Sequence, residues 1–67
     1  MGKLTSMEYD VLDMLANGRT HWSDTGREIT WGAALGSIVE DLNGRGLVTY
    51  PKVEITPAGR AALEDSK

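Results

Sequence analysis

The second half of the chain carries the pattern that decides the fold: residues 31–63 read WGAALGSIVEDLNGRGLVTYPKVEITPAGRAAL. Its first part has apolar residues three or four positions apart, and such residues share one face of a helix. The apolar stripe consists of Trp31, Leu35, Ile38 and Leu42. We therefore predict a main helix with Thr30 as its N-cap, a buried stripe and an end at Gly44 or Gly46.

Two short strand patterns follow the main helix and meet near Pro51. Pairing of Tyr50 with Val53 would set the register of a β-hairpin. Val48 would then lie opposite Ile55, and all four side chains would point to the same face. The pattern thus predicts a tight two-stranded ribbon with one apolar face.

Capping residues mark a helix at each end of the chain. Thr5 and Glu8 have the spacing of a capping box, and Gly18 supplies the left-handed residue that ends a helix. Thr56 is the predicted N-cap of the last helix, with Pro57 at its first position, where a missing N–H costs no hydrogen bond. On the first helix, the predicted buried residues are Met7, Val11, Leu12, Met14 and Leu15. The residues expected in water on that helix are Asp10, Asp13 and Asn17.

Residues 19–30 have the least regular pattern of the chain. Trp22 and Ile29 are the large apolar residues of this segment, too few for an amphipathic helix. The segment fits a short strand and a turn, followed by a second strand or one helical turn. Trp22 is interpreted either as a plug of the core or as an exposed anchor, whereas Trp31 is expected at the core or its edge.

Two motifs carry a resemblance to a known family. The motif GLV at residues 46–48 and the motif ITPAGRAAL at residues 55–63 resemble winged-helix transcriptional regulators of the MarR and PadR kind. Those proteins often read as a recognition helix ending in Gly-Leu-Val, a wing, and then Leu-Thr-x-x-Gly-Arg. The resemblance implies an α+β fold: a single winged-helix domain over residues 1–67, with three helices and a short two- or three-stranded antiparallel sheet.

The resemblance also implies DNA binding. The main helix would be the recognition helix, which enters a major groove, and Lys52 would lie at the tip of the wing. The residues expected to contact nucleic acid or a partner are Arg27, Ala33, Gly36, Ser37, Glu40, Arg45 and Lys52. The first hypothesis is therefore a small protein that binds double-stranded DNA as a transcription regulator or accessory factor. Its small size suits an accessory protein encoded by a phage or plasmid.

Composition favours a second hypothesis. The chain has 7 Lys and Arg against 10 Asp and Glu, a net charge of −3. Strong binding to a phosphate backbone, in contrast, requires many cationic side chains. Glu40 and Asp41 would approach the phosphates unfavourably. The main helix also carries a patch of small residues where another backbone could come close: Gly32, Ala33, Gly36 and Ser37. The second hypothesis is a winged-helix protein-interaction module without DNA binding, whose partner is another protein or a second copy of the chain in a homodimer.

Other classes of function find little support in the sequence. His21 is the only histidine and cysteine is absent, so no metal-ligand pattern occurs, and we expect neither a metal nor another cofactor. No nucleophile has a paired base by sequence signature, and a domain this small has little depth for a pocket, so we expect no enzymatic activity. No apolar run approaches the roughly 20 residues that a bilayer span needs. The absence of disulfides in a small domain favours a reducing cytoplasm.

Overall fold

The structure is a computed structural model that describes residues 4–66. It contains three helices: α1 (Ser6–Asn17), α2 (Ala33–Gly44) and α3 (Pro57–Asp65). Because α1 packs against both α2 and α3, it is the central helix of the domain. The buried apolar core consists of Val11, Leu12, Leu35, Val39, Leu42, Leu47, Val48 and Leu63.

The expected α+β fold with an antiparallel sheet is wrong, because no β-strand occurs in residues 4–66. Cross-strand pairing in this range is confined to two isolated antiparallel bridges, His21 with Glu28 and Val48 with Ile55. The predicted pairing of Val48 with Ile55 is confirmed. Each of the two bridges is isolated, however, and is too short to make a sheet. Three helices joined by irregular segments are the architecture that remains.

Thr49 gives the physical reason why the second bridge does not extend. Its backbone N–H donates to the carbonyl of Glu54 at 2.9 Å, as in a hairpin. The N–H of Glu54, however, donates to the hydroxyl of Thr49 at 3.1 Å, and that hydroxyl donates in turn to the carbonyl of Lys52. A side-chain oxygen thus replaces the backbone acceptor and ends the ladder. Tyr50, expected on the apolar face of the ribbon, is 59% exposed.

The predicted caps of α1 and α3 are confirmed. The hydroxyl of Thr5 accepts from the N–H of Glu8 at 3.1 Å, and Oε1 of Glu8 accepts from the N–H of Thr5 at 3.0 Å, which completes the capping box. Gly18 follows α1 with φ 79°, in the left-handed region. Thr56 caps α3, and Pro57 occupies its first position. These caps satisfy backbone groups that the helix ends would otherwise leave unpaired.

The first turn of α3 is attached to the segment that follows α2. The N–H of Thr56 donates to the carbonyl of Leu47 at 3.0 Å, and the hydroxyl of Thr56 donates to the carbonyl of Gly46 at 2.8 Å. Gly59 is buried one turn further on, and a Cβ on it would overlap the carbonyl oxygen of Leu47. Glycine is therefore the residue that lets α3 lie directly against the neighbouring backbone.

Candidate partner-binding surface

Trp31 lies mostly in solvent, with 62% of its surface exposed. Its expected position at the core or its edge is therefore wrong. The N-cap of α2 is Gly32 rather than the predicted Thr30, and the helix begins at Ala33. Because Trp31 precedes the helix, its helical spacing from Leu35 does not bring it onto the buried stripe. An exposed indole leaves a large apolar area uncovered, and tryptophan is enriched at the energetic centres of protein interfaces.

The second indole has a different environment. Trp22 is half-buried and packs against the core, which favours the core interpretation over the exposed anchor. The other exposed large apolar residues in the described part of the chain are Met7 and Tyr50. Single exposed apolar residues are common on folded proteins. Trp31 differs from these two because it directly precedes a helix whose outward face is also uncovered.

The outward face of α2 is formed by small and acidic side chains. Ala33, Ser37 and Glu40 are exposed, and their spacing places them on one side of the helix. Gly36 lies between them, and a Cβ built on it would meet no atom within 4 Å. The surface there is consequently shallow and open. We refer to Trp31, Ala33, Gly36, Ser37 and Glu40 as the Trp31–α2 surface.

Two of the predicted contact cations are paired with carboxylates inside the domain. Nη1 of Arg45 lies 3.0 Å from Oε1 of Glu8 and 3.8 Å from Oδ2 of Asp41, so this side chain reaches toward α1. Nζ of Lys52 lies 3.4 Å from Oε2 of Glu54 at an exposed turn. Each of these positive charges is therefore partly neutralised by its neighbours before any ligand arrives.

Arg19 is likewise held by carboxylates. Its Nε lies 2.9 Å from Oδ2 of Asp13 and 3.6 Å from Oδ1 of Asp10, and the hydrogen bond to Asp13 raises the pKa of Arg19. In residues 4–66, the cationic side chains without an ion pair are Arg27 and Arg60. Two unpaired cations in this part of the chain are few for binding a phosphate backbone.

The predicted contact residues separate into three groups. Four of them share the outward side of α2: Ala33, Gly36, Ser37 and Glu40. Arg45 lies at the contact between α1 and α2. Arg27 and Lys52 lie in the two irregular segments, one before α2 and the other after it. The structure thus brings together the helical part of the predicted site, without its cations.

Glu8, Asp41 and Arg45 form a charged cluster that links α1 to α2. Burial raises the pKa of Glu8, but the N–H of Thr5, a hydrogen bond with Asp41 and the charge of Arg45 together lower it by more, so the pKa lies below its usual value. The pKa of Asp41 is raised, first by its hydrogen bond with Glu8, then by burial and the negative charge of Glu8. The two carboxyl groups therefore compete for one negative charge beside the guanidinium.

Glu8→Gln is expected to lower the free energy of unfolding by about 0.5–1 kcal/mol near pH 7, the range for a partly exposed ion pair. Glutamine can still accept the hydrogen bond of the capping box, so the loss of stability measures the contribution of the negative charge of Glu8. Because folding depresses the pKa of Glu8, its stabilising contribution is present above the unfolded pKa and is lost as the pH falls through the folded pKa. Urea unfolding of both proteins near pH 7 and near pH 3 measures this difference.

Asp41→Asn is the matched control for this cluster. Folding raises the pKa of Asp41, so the stability linked to its protonated form is present below the unfolded pKa and is lost as the pH rises through the folded pKa. Removing this charge near pH 7 is therefore expected to leave the domain at least as stable as the parent. The same loss for Glu8→Gln at both pH values, or a clear loss for Asp41→Asn near pH 7, would contradict the pairing described here.

Two features of the structure, one in the Trp31–α2 surface and one in α1, were not predicted from the sequence. The exposure of Trp31 had one local signal, the following Gly32, because glycine disfavours the interior of a helix and marks a later helix start. The burial of Asp10 in α1, with 0% exposed, had no local signal, since the group that accounts for it lies on another segment. The expectation that Asp10 faces water is wrong.

No protein family model, no curated protein and no solved structure matches the chain. In residues 4–66, none of the helices combines the length and apolar character that crossing a bilayer requires. The same residues contain no cluster of three or more histidine, cysteine or acidic side chains arranged to hold a metal ion. A functional proposal therefore rests on the surface of the chain itself.

Proposed function

We propose that the chain is a small protein-binding module that contacts its partner through the Trp31–α2 surface. The observation that carries the proposal is the exposed indole of Trp31 beside a helix face of small residues and Glu40, without large apolar side chains. A bulky anchor next to a shallow face is the arrangement in which one residue fills a partner's pocket and the surrounding surface excludes water.

Charge supports a protein partner over double-stranded DNA. Arg19, Arg45 and Lys52 are paired with carboxylates, so binding to phosphate would require breaking or sharing these contacts. Glu40 is exposed on the outward side of α2 and would repel a phosphate backbone. DNA binding, the first hypothesis from the sequence, stays a prediction with less physical support than protein binding.

The same charges indicate the chemistry of the partner. The partner would offer an apolar pocket for the indole of Trp31 and a cationic side chain opposite Glu40. Ala33 and Gly36 would let a helix or an extended segment approach α2 closely, because neither has a side chain beyond Cβ. A second copy of the chain is a weaker candidate, because a symmetric dimer formed through this face would bring two copies of Glu40 near each other. The absence of cysteine in so small a chain supports placing this function in a reducing cytoplasm.

Trp31→Ala tests the proposal directly. Wild-type protein, Trp31→Ala and the matched control Tyr50→Ala are immobilised in parallel, and the proteins that each retains from cell extract are compared. Those retained by wild type and Tyr50→Ala are then purified and titrated against each variant. We expect a direct interaction that Trp31→Ala weakens by about thirtyfold or more, the size of an interface hot spot.

The folding control is the stability of the variants. Since the indole of Trp31 is exposed, Trp31→Ala is expected to change the free energy of unfolding by no more than about 0.5 kcal/mol. Equal binding of every purified candidate to wild type and Trp31→Ala would overturn the proposed surface. Sedimentation of the chain alone identifies a second copy as the partner if a dimer forms and Trp31→Ala dissociates it.

A further inference from the structure

Residues 19–30, called the strap here, connect α1 to α2 and satisfy their own backbone. The N–H of Trp22 donates to the carbonyl of Arg27 at 2.8 Å, and the N–H of Ile29 donates to the carbonyl of Thr20 at 2.8 Å. The N–H of Gly26 donates back to the carbonyl of Trp22 at 2.9 Å. In the described part of the chain, the backbone-to-backbone hydrogen bonds of the strap all lie within the strap. It is therefore a unit that can move without breaking the ladder of any helix.

The strap adds little to the apolar core. None of its residues is among the fully buried apolar side chains, and only Trp22 and Ile29 pack against the core from a half-buried position. Segments with few buried apolar contacts open at a lower free energy than the global unfolding of the protein. The strap thus belongs to the least stable part of the domain.

The strap is fastened to α1 by a buried carboxylate. Oδ2 of Asp10 accepts from the N–H of Ser23 at 2.8 Å and from the hydroxyl of Ser23 at 3.0 Å. The other oxygen, Oδ1, is buried without a hydrogen-bond partner and lies 3.6 Å from Nε of Arg19. A buried carboxylate oxygen that makes no hydrogen bond is costly, since it has lost its water. Opening the strap would break these two hydrogen bonds and also the 2.9 Å hydrogen bond from Nε of Arg19 to Oδ2 of Asp13 on α1. Rehydration of Oδ1 of Asp10 would offset part of that cost.

We propose that the strap is a lid that opens as one unit from a folded three-helix core, and that Asp10 is the latch that holds it closed. The open state exposes Asp10 and frees Ser23, while α1, α2 and α3 keep their packing. The lid inference does not depend on the proposed partner surface. It does place a mobile unit directly before Trp31, so that opening also frees the segment that carries this indole.

Hydrogen exchange followed by NMR under native conditions tests the lid. The amides of Trp22, Gly26 and Ile29 report on the strap, and those of Leu47 and Thr56 report on the core, where both are hydrogen-bonded. In the wild-type protein, we expect the strap amides to exchange at least about tenfold faster than the core amides, relative to their intrinsic rates. Equal protection in the two groups would overturn the proposal.

Two variants test the latch. Asp10→Ala is expected to speed exchange of the strap amides by about tenfold or more, with core amides changed much less, since both hydrogen bonds from Ser23 to the charged carboxylate are removed. Ser23→Ala removes only the hydroxyl contact at an exposed residue and is expected to raise strap exchange by about threefold. Equal acceleration of strap and core would assign Asp10 to global stability and contradict a latch. If Asp10→Ala does not fold, Ser23→Ala decides in the same way: an unchanged strap contradicts the latch.

Discussion

Gly59→Ala is expected to lower the free energy of unfolding by about 3 kcal/mol, at the upper end for overpacking a tight contact. The new Cβ would overlap the carbonyl oxygen of Leu47 and lie 2.8 Å from Cγ1 of Ile55. That carbonyl also accepts the N–H of Thr56 at 3.0 Å, so moving it away breaks the attachment of α3. Alanine gains only about 1 kcal/mol over glycine from helix propensity, which is smaller than the steric cost.

Gly36→Ala is the matched control for this prediction. The same substitution is made inside a helix, but a Cβ on Gly36 meets no atom within 4 Å. We therefore expect the free energy of unfolding to rise by about 0.5–1 kcal/mol, the propensity gain without the clash. Urea unfolding followed by circular dichroism measures both variants. If Gly59→Ala and Gly36→Ala change stability in the same direction, α3 does not pack on the backbone as described.

Leu35→Ala and Leu42→Ala are each expected to lower the free energy of unfolding by about 2–5 kcal/mol, because each removes a fully buried side chain and leaves a cavity. The two side chains are 1% and 0% exposed. A small domain has a narrow margin of stability, so such losses should leave much of the protein unfolded. Thermal and urea unfolding provide the measurement.

Ile38→Ala is the control on the same helix. Ile38 is half-buried at the edge of the core, so its truncation should cost less than that of Leu42, whose side chain is fully buried. Variants of Leu35 or Leu42 that melt like the parent would show that α2 faces the core with another side. A larger loss for Ile38→Ala than for Leu42→Ala would lead to the same conclusion.

The parts of the fold that depend on neighbouring residues could be predicted from the sequence. The capping box of Thr5 and Glu8 and the cap of α3 by Thr56 depend on residues within one helical turn. Pairing of Val48 with Ile55 followed from the alternation of apolar residues around a short turn. These local preferences agree with the tertiary structure, and α1 and α3 begin where the pattern places them.

The sheet could not be predicted correctly, because a competing hydrogen bond decides it. Alternation of apolar residues predicts which side chains share a face of a ribbon. It does not show that the hydroxyl of Thr49 accepts the hydrogen bond from the N–H of Glu54. Nor did it place the start of α2, where Gly32 is the N-cap and Thr30 is not. In both cases a short polar or flexible residue altered an element that the apolar pattern had predicted as regular.

The candidate site was predicted only in part, for a related reason. Helical spacing was sufficient to group Ala33, Ser37 and Glu40 on one face. The pairing of Arg45 with Glu8 joins residues far apart in the sequence, and the burial of Asp10 depends on Ser23 in another segment. Such long-range electrostatic contacts have no short-range sequence pattern. They are also what shifts the balance of support from DNA to a protein partner.

The charges of the domain favour a protein partner over double-stranded DNA, and a titration of fluorescently labelled double-stranded DNA with the purified protein at low salt, followed by anisotropy, is the most direct test of that preference. Because Arg19, Arg45 and Lys52 are paired within the domain and Glu40 is exposed, binding at low salt should be weaker than about 100 µM, which is the weak end of non-specific affinity even at physiological salt. We expect this weak or absent binding for both wild type and Trp31→Ala. Binding near about 1 µM that weakens steeply with added salt would contradict it, because such a slope reports phosphates neutralised by free cations.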